Sequence, residues 1–583
     1  MHLKIPTRLK KLTNVMARLH PSCPFGAGWI IGCFLMLTSL ANATENERPN
    51  FVVILADDLG YSDLGCYGGE IRTPHLDRLA HNGLRMTQMY NAARCCSTRA
   101  SLLTGLYPHQ AGVGAMSADN HKPGYRGFLT DRCVTVAERL KAAGYQTLMS
   151  GKWHLRGKGN PLCTPTERGF DEFYGHFRAY ASYYRPDLFV RHPAGRTQPQ
   201  YEASDFYATD AITDQAIELM QSAGRNQAPF FLYLAYNAPH FPLQAPKEVI
   251  NAYATTYQVG WDKIRQSRLQ RMLDIGIVRE GAELSPRGHV TKVPERNGDS
   301  PYYDQTIPAW DTIDPNRRAD LSRRMATYAA MVQIMDANIG RVIDHLRQTN
   351  QLDNTLIVFL SDNGACAEWD PFGFDNNPYP KNRLYEGDSL QSMGGPGTFH
   401  SYGTGWANAC NAPLRLYKHY NHEGGISSPL IMHWPAGMSR GGEIDRRPAH
   451  ITDLTATLLD LGMATYPQRK GDQEILPLAG RSMRPVIENR PWDTSPIFFE
   501  HEGNRAVRIG PWKLVWTNYA QRWELYQIDT DRSELHDRAA EFPNRVRDMQ
   551  DLWHRWAAKH FVEPQRVQQP ESGMPKIYYW PTD

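Results

Sequence analysis

Cysteine is scarce in this chain, with nine among 583 residues, and two of the nine fall before residue 44. The other seven (Cys66, Cys95, Cys96, Cys133, Cys163, Cys366 and Cys410) form no C-x-x-C pair and no zinc-like spacing with histidine. That excludes a zinc finger or ribbon. An odd count in an exported chain flags one thiol for a special use. An excess of one charge is also missing. All five basic residues before position 44 sit in a leader without acids, and the rest of the chain carries 59 basic against 61 acidic residues. A net of −2 argues against a nucleic-acid binder held by bulk charge. Beyond residue 40 no apolar run is long enough to span a membrane, and there is no repeat or low-complexity tract. What remains is an ordinary globular balance, 41% apolar and 21% charged, which excludes collagen, coiled coil and wholesale disorder.

Residues 1–43 read as an export signal. A basic stretch precedes the apolar run 25–40, and Ala41-Asn42-Ala43 is a small-x-small cleavage site. The expected product is a periplasmic or secreted protein cut after Ala43, with no membrane span.

Four short apolar runs, 51–56, 145–150, 230–235 and 356–360, read as buried parallel strands. Helical patterns at 134–143, 211–222 and 325–346 lie between them. Alternation of this kind predicts an α/β domain with a mostly parallel sheet. Each run ends in chemistry: Asp57-Asp58, Gly151-Lys152-Trp153-His154, Asn237 to His240, and Ser361-Asp362-Asn363-Gly364. In open α/β sheets the ligand sits beyond the carboxyl ends of the strands, so four complementary ends point to one crevice. Residues 247–320 are polar and read as an insertion, a lid or substrate wall; 368–411 read as a second long loop. From about residue 490 four short strands (495–499, 506–509, 512–516, 523–528) and a helix (544–560) predict a small α+β domain with an antiparallel sheet. The expected division is signal 1–43, catalytic domain 44–489 and C-terminal domain 490–583.

Residues 95–105 read CCSTRASLLTG. This strongly resembles the signature of the type I sulfatase family, C-x-(P/A/S)-x-R followed by T-G. Asp57-Asp58, GKWH at 151–154, Pro239-His240, SDNG at 361–364, Lys418 before Glu423-Gly424-Gly425, and WELY at 523–526 are similar to the family's other motifs, in the same order. Ser97 departs from the commoner proline or alanine. The resemblance spans residues 50–560 and looks closest to bacterial arylsulfatases. It implies the alkaline-phosphatase-like sandwich and hydrolysis of sulfate monoesters, of a small molecule or a glycan. It also implies one Ca²⁺ and a formylglycine made from Cys95 by a separate formylglycine-generating enzyme.

The residue chemistry agrees with what the family implies. Asp57, Asp58, Asp362 and Asn363 are hard oxygen donors, which suit Ca²⁺ or Mg²⁺ rather than zinc. Asp57 and Asp58 can share an ion only where the strand breaks, and Gly60 is the expected turn residue. By resemblance Cys95 is nucleophile and metal ligand. As a hydrated aldehyde it has one oxygen to attack sulfur and a second hydroxyl whose deprotonation expels sulfate. Arg99, one helical turn on, is expected to hold that group and screen the ester. Lys152 and His154, two apart in an extended segment, are expected on one side, Lys152 on a sulfate oxygen and His154 as base. His240 is the expected acid for the leaving oxygen and Lys418 a fixed charge, with His419 and His422 close in sequence. Glu423 is expected to orient a neighbour, and residues 500–505 to reach the pocket rim. Trp261, Trp310, Trp369 and Trp406 either stack on substrate or pack loops. A phosphonate or phosphate ester hydrolase of the same superfamily is the alternative enzyme. A non-catalytic binder of sulfated glycans is the other class, disfavoured because every catalytic position is filled.

Overall fold

Strand β1 (Asn50–Ala56) lies at the middle of a ten-stranded sheet. The other strands are β2 (Leu84–Tyr90), β3 (Gln146–Lys152), β4 (Glu172–His176), β5 (Val190–His192), β6 (Phe230–Ala235), β7 (Thr355–Ser361), β8 (Ser427–His433), β9 (Glu443–Asp445) and β10 (Ala449–His450). Their order is β10-β2-β8-β7-β1-β6-β3-β4-β5, with β9 beside β2. The pairs β7/β1, β1/β6, β6/β3 and β3/β4 are parallel. β8 and β5 run against their neighbours. The computed structural model describes residues 48–563, except 159, 203, 225–227, 289–305, 369–370, 376–381, 493–494 and 518–519. The expected export signal and Trp369 lie outside the described residues. No helix among the described residues is long and apolar enough to cross a membrane.

The central strands are continuous apolar runs because both faces are covered. The covering helices are α1 (Cys95–Thr104), α2 (Val136–Ala142), α3 (Ala208–Gly224), α4 (Gly260–Asp274), α5 (Pro315–Gln348) and α6 (Ile451–Leu461). Alternate residues choose the layer. Val52, Ile54, Leu232, Leu234, Ile357 and Phe359 pack with α3, α4 and α5. Phe51, Val53, Leu55, Phe231, Tyr233 and Val358 pack with α1, α2 and α6. The result is a three-layer sandwich.

All four predicted strands are present, with β3 running on to Lys152 and β7 to Ser361. Strand β8 escaped the pattern because Pro429 interrupts its sequence. Its register with β2 shifts at that point, from Met86↔Leu430 to Met89↔Ser428. The helix expected at 325–346 begins ten residues earlier, with Pro315 in its first turn and the Asp314 carboxylate accepting from Asn316 N at 2.9 Å. Its first turn is exposed or half-buried, and burial begins at Asp320, which with Asp375 pairs the buried Arg324. The insertion is likewise not all loop. It contains α4, clamped to the body by Arg268, which reaches Asp63 at 2.6 Å and Glu70 at 2.7 Å.

After a two-stranded ribbon, β11 (Arg469–Lys470) and β12 (Gln473–Glu474), comes the antiparallel sheet β13 (Ile497–His501), β14 (Asn504–Ile509), β15 (Trp512–Trp516) and β16 (Trp523–Gln527). One face holds Val507, Leu514 and Leu525 against Trp553 and Trp556 of α7 (Pro543–Lys559). The other packs Ile497, Phe499 and Val515 against Tyr90, Ala93 and Ile426. That contact brings the β13–β14 hairpin beside the N-terminus of α1. Its two-residue turn, Glu502-Gly503, has φ of +51° and +81°, the left-handed pair that suits a twisted hairpin.

Candidate active site

The carboxyl ends of β1, β3, β6 and β7 and the N-terminus of α1 converge on one buried cluster. Cys95 is the first residue of α1, and Arg94 provides no side-chain cap. The free N–H groups of that turn therefore face the site. Cys95 Sγ lies 3.4 Å from His154 Nδ1. Ligand atoms of Asp57, Cys95 and Asp362 fall within 4.8 Å of one another, as do those of Asp57, Asp58 and His240.

The strand ends at Ala56, just before the two acids, and Asp58 itself takes the left-handed conformation, φ +69°. Gly60 is not in that region. It serves close approach instead, since a Cβ there would lie 2.5 Å from the Cys410 carbonyl oxygen. Asp58 N donates to Asp362 Oδ1 at 3.2 Å, and Asn363 Nδ2 donates to Asp58 Oδ1 at 2.7 Å. Asp57 Oδ1 and Asn363 Oδ1 are buried without a hydrogen-bond partner. Orphaned acceptors among three carboxylates are costly unless a cation satisfies them, so the donor set fits a hard divalent ion.

The cations are arranged as counter-charges. Lys152 Nζ contacts Asp57 Oδ2. Lys418 Nζ donates to Asp58 Oδ2 at 2.9 Å and stands 3.5 Å from Glu368. The Arg99 guanidinium holds Asp362 at 2.8 Å and the Lys152 carbonyl at 2.9 Å and stands 3.7 Å from Asp57, so it braces the site. The segment after Lys152 is not extended. His154 has φ +56°, and this turn, not strand alternation, aims it at Cys95.

Burial pushes Asp57 and Asp362 above the usual carboxylate range, against the pull of Lys152 and Arg99. Burial also raises Asp58, yet Lys418 and His240 hold it below its ordinary value. The Cys96 thiol beside Cys95, with Lys152 and His154, holds Cys95 well below the ordinary thiol range despite burial. Burial pushes His154 and His240 down to about 4. Burial favours the neutral imidazole of His240, with Asp58 pulling toward the charged form and Lys152 and Lys418 against it. Its Nδ1 meets the Phe241 carbonyl at 2.7 Å and its Nε2 lies 3.4 Å from Asp58.

Among the three basic residues at 418–422, Lys418 enters the cluster. His419 faces Glu368 and Glu502 at 2.9 and 2.7 Å, and His422 turns to Glu524 at 3.2 Å. Glu423 orients no site residue. It accepts from Lys513, Arg532 and Tyr90, and against burial these cations hold it at about 2. In the rim hairpin, Glu500 pairs with His109 at 2.6 Å, and Glu502 is the carboxylate that meets His419. Trp261, Trp310 and Trp406 are buried against one another, with ring centroids 4.9–5.7 Å apart, so they pack loops. Ser97 donates to the Val113 carbonyl at 2.9 Å and stays out of the site.

Sequence reasoning missed Arg94 and Glu368, which pair at 3.2 Å beside Cys95 and Lys418. It also missed His176, at the end of β4, buried with both ring nitrogens unpartnered. Position after a strand was the available signal for His176. For Glu368, within a long loop, there was none.

A family model described as Sulfatase matches residues 49–463. An arylsulfatase of Klebsiella aerogenes is 34% identical over 467 residues, covering 78% of this chain and 95% of the relative. An uncharacterised sulfatase of Schizosaccharomyces pombe is 34% identical over 540 residues, covering 87% and 93%. Among solved structures, Ps i-CgsB in complex with k-i-k-neocarrahexaose superposes with a TM-score of 0.61 at 26% identity, covering 88% of this chain and 93% of that one.

Proposed function

The chain belongs to the sulfatase family of sulfuric ester hydrolases, with its alkaline-phosphatase-like sandwich, and from that premise we propose an exported enzyme that cleaves sulfate monoesters with a formylglycine at position 95 and one Ca²⁺. The observation that carries this reading is the placement of Cys95. It opens a helix, 3.4 Å from His154, and shares a cluster with Asp57 and Asp362.

Asp57, Asp58, Asp362 and Asn363, together with residue 95, would hold the cation. When bound, it supplies positive charge to the nucleophile and to the sulfate oxygens. Formylglycine supplies a hydrated aldehyde, a better nucleophile at neutral pH than serine and one that can release sulfate by re-forming its carbonyl.

The chain's own residues do the rest. Arg99 fixes Asp362 and the end of β3, so the carboxylate and Lys152 keep their positions as charge moves. Lys152 and Lys418 flank the cluster from two sides, each within reach of a carboxylate, and neutralise the ester's oxygens. His154 is neutral because of burial and accepts a proton from a hydroxyl on residue 95. His240 hands a proton to the leaving oxygen once the anionic ester, bound between the lysines, favours its charged form. The free N–H groups of α1 add partial positive charge.

The test compares kcat/KM for an aryl sulfate and the matching aryl phosphate. It uses protein co-produced with a formylglycine-generating enzyme, with Cys95→Ala as control. A preference for sulfate by orders of magnitude, lost in Cys95→Ala, is expected. Preference for the phosphate, or an active Cys95→Ala, would overturn the reading.

A further inference from the structure

The active site leaves two thiols unused that converge on one arginine. Cys133 precedes α2, and Cys163 follows the segment that carries Lys152 and His154. Both are buried and reduced. Cys133 Sγ donates to the Thr130 carbonyl and Cys163 Sγ to the Leu129 carbonyl, each at 3.2 Å. These two carbonyls are neighbours, and Arg168 Nη1 bonds both, at 3.1 and 3.3 Å. Arg168 Nη2 lies 2.8 Å from the Cys133 carbonyl and 3.5 Å from its sulfur. Burial raises the Cys163 thiol above its ordinary value, and the Arg168 guanidinium pulls against that rise. Both cysteines line a surface groove of about 730 Å³, together with Arg126, Arg132 and Lys470. A groove of this size admits a small peptide disulfide.

We propose that Cys133 and Cys163 form a disulfide when the protein meets an oxidising compartment. The Cys163 thiolate attacks one sulfur of a disulfide oxidant, such as oxidised glutathione, and releases one thiolate. Cys133 then loses its proton and attacks the Cys163 sulfur, releasing the second thiol. The pair gives up two protons and two electrons, and the oxidant disulfide becomes two thiols. The bond encloses the 29 residues between the cysteines, which include β3, Lys152 and His154. It therefore clips the segment that aims the candidate base at residue 95. An oxidising compartment is where such bonds persist, so the proposal rests on the export reading for its oxidant.

The experiment supplies the oxidant itself, so a failure of export would not be mistaken for a failure of the pair. Purified protein is held with oxidised glutathione or with dithiothreitol, alkylated in denaturant, digested and mapped by mass spectrometry. A Cys133–Cys163 linked peptide is expected after oxidation and both alkylated peptides after reduction, with Cys66, Cys366 and Cys410 alkylated in each. A loop of this length should raise Tm by about 3 °C on oxidation. The Cys133→Ser/Cys163→Ser double variant should show no such rise. Alkylation of both cysteines after oxidation, or their capture only as glutathione adducts, would overturn the proposal.

Discussion

His240 and Arg99 show how burial changes what a side chain can do. His240 is drawn toward its neutral form by burial first, then by Lys152 and Lys418, against the pull of Asp58. If its task is to protonate the departing oxygen, its loss matters most when that oxygen is a poor leaving group. His240→Ala is expected to lower kcat/KM by about 10²–10⁴ for an alkyl or sugar sulfate, and far less for 4-nitrophenyl sulfate. A slope of log kcat/KM against leaving-group pKa that matches the parent would remove the acid role. Arg99 is a clamp with two partners, Asp362 and the Lys152 carbonyl. A lysine cannot reproduce the fork. Arg99→Lys is expected to cost about 10²–10³ in kcat, comparable to removal of one fixed donor in an oxyanion site. A variant within threefold of the parent would show the clamp to be dispensable.

At the scale of elements, two positions decide whether strands and helices meet. Gly151 takes φ +116° where β3 and β6 close on each other, and a Cβ there would stand 1.8 Å from the Ala235 carbonyl oxygen. Gly151→Ala is expected to cost about 3 kcal/mol or more, read from the urea midpoint, and to displace Lys152 with it. His450 precedes α6 and faces Thr452, with its Nδ1 2.9 Å from the hydroxyl. Burial pushes it down to about 3 in the fold. Its contribution is therefore complete above the unfolded value of about 6.5 and is lost as pH falls toward 3, at up to ~1.4 kcal/mol per pH unit. His450→Asn, which keeps an acceptor for the helix, should flatten the fall in stability between pH 6.5 and 4. An unchanged slope would place the acid sensitivity elsewhere.

For the whole molecule, the cation is the largest unmet demand. Three buried carboxylates and an amide oxygen meet at the ends of β1 and β7, far apart in sequence but adjacent in the sheet. Without an ion, Asp57 Oδ1 and Asn363 Oδ1 stay buried with no hydrogen-bond partner. Chelation is expected to abolish turnover and lower Tm by several degrees, with Ca²⁺ restoring both and Mg²⁺ restoring less, because a larger ion tolerates more and looser oxygen ligands. A chelated protein with unchanged Tm and activity would refute the metal reading.

The local sequence determined the strands of the inner sheet, the helix that starts at Cys95, and the identity of nearly every polar group in the site. Each is written in contiguous residues: an apolar run followed by Asp57-Asp58, by GKWH or by SDNG. Only the tertiary structure decided how they are used. Asp58 and His154 turn left-handed just past the ends of β1 and β3. Arg99 became a brace because Asp362, 263 residues away, lies within its reach. Strand β8 was hidden by Pro429, and Glu368 by a loop without periodicity, since each acquires meaning only from partners distant in the chain. Sequence pattern records what a segment buries. Packing alone settles which buried charges face each other, because that depends on the order in which strands are laid side by side.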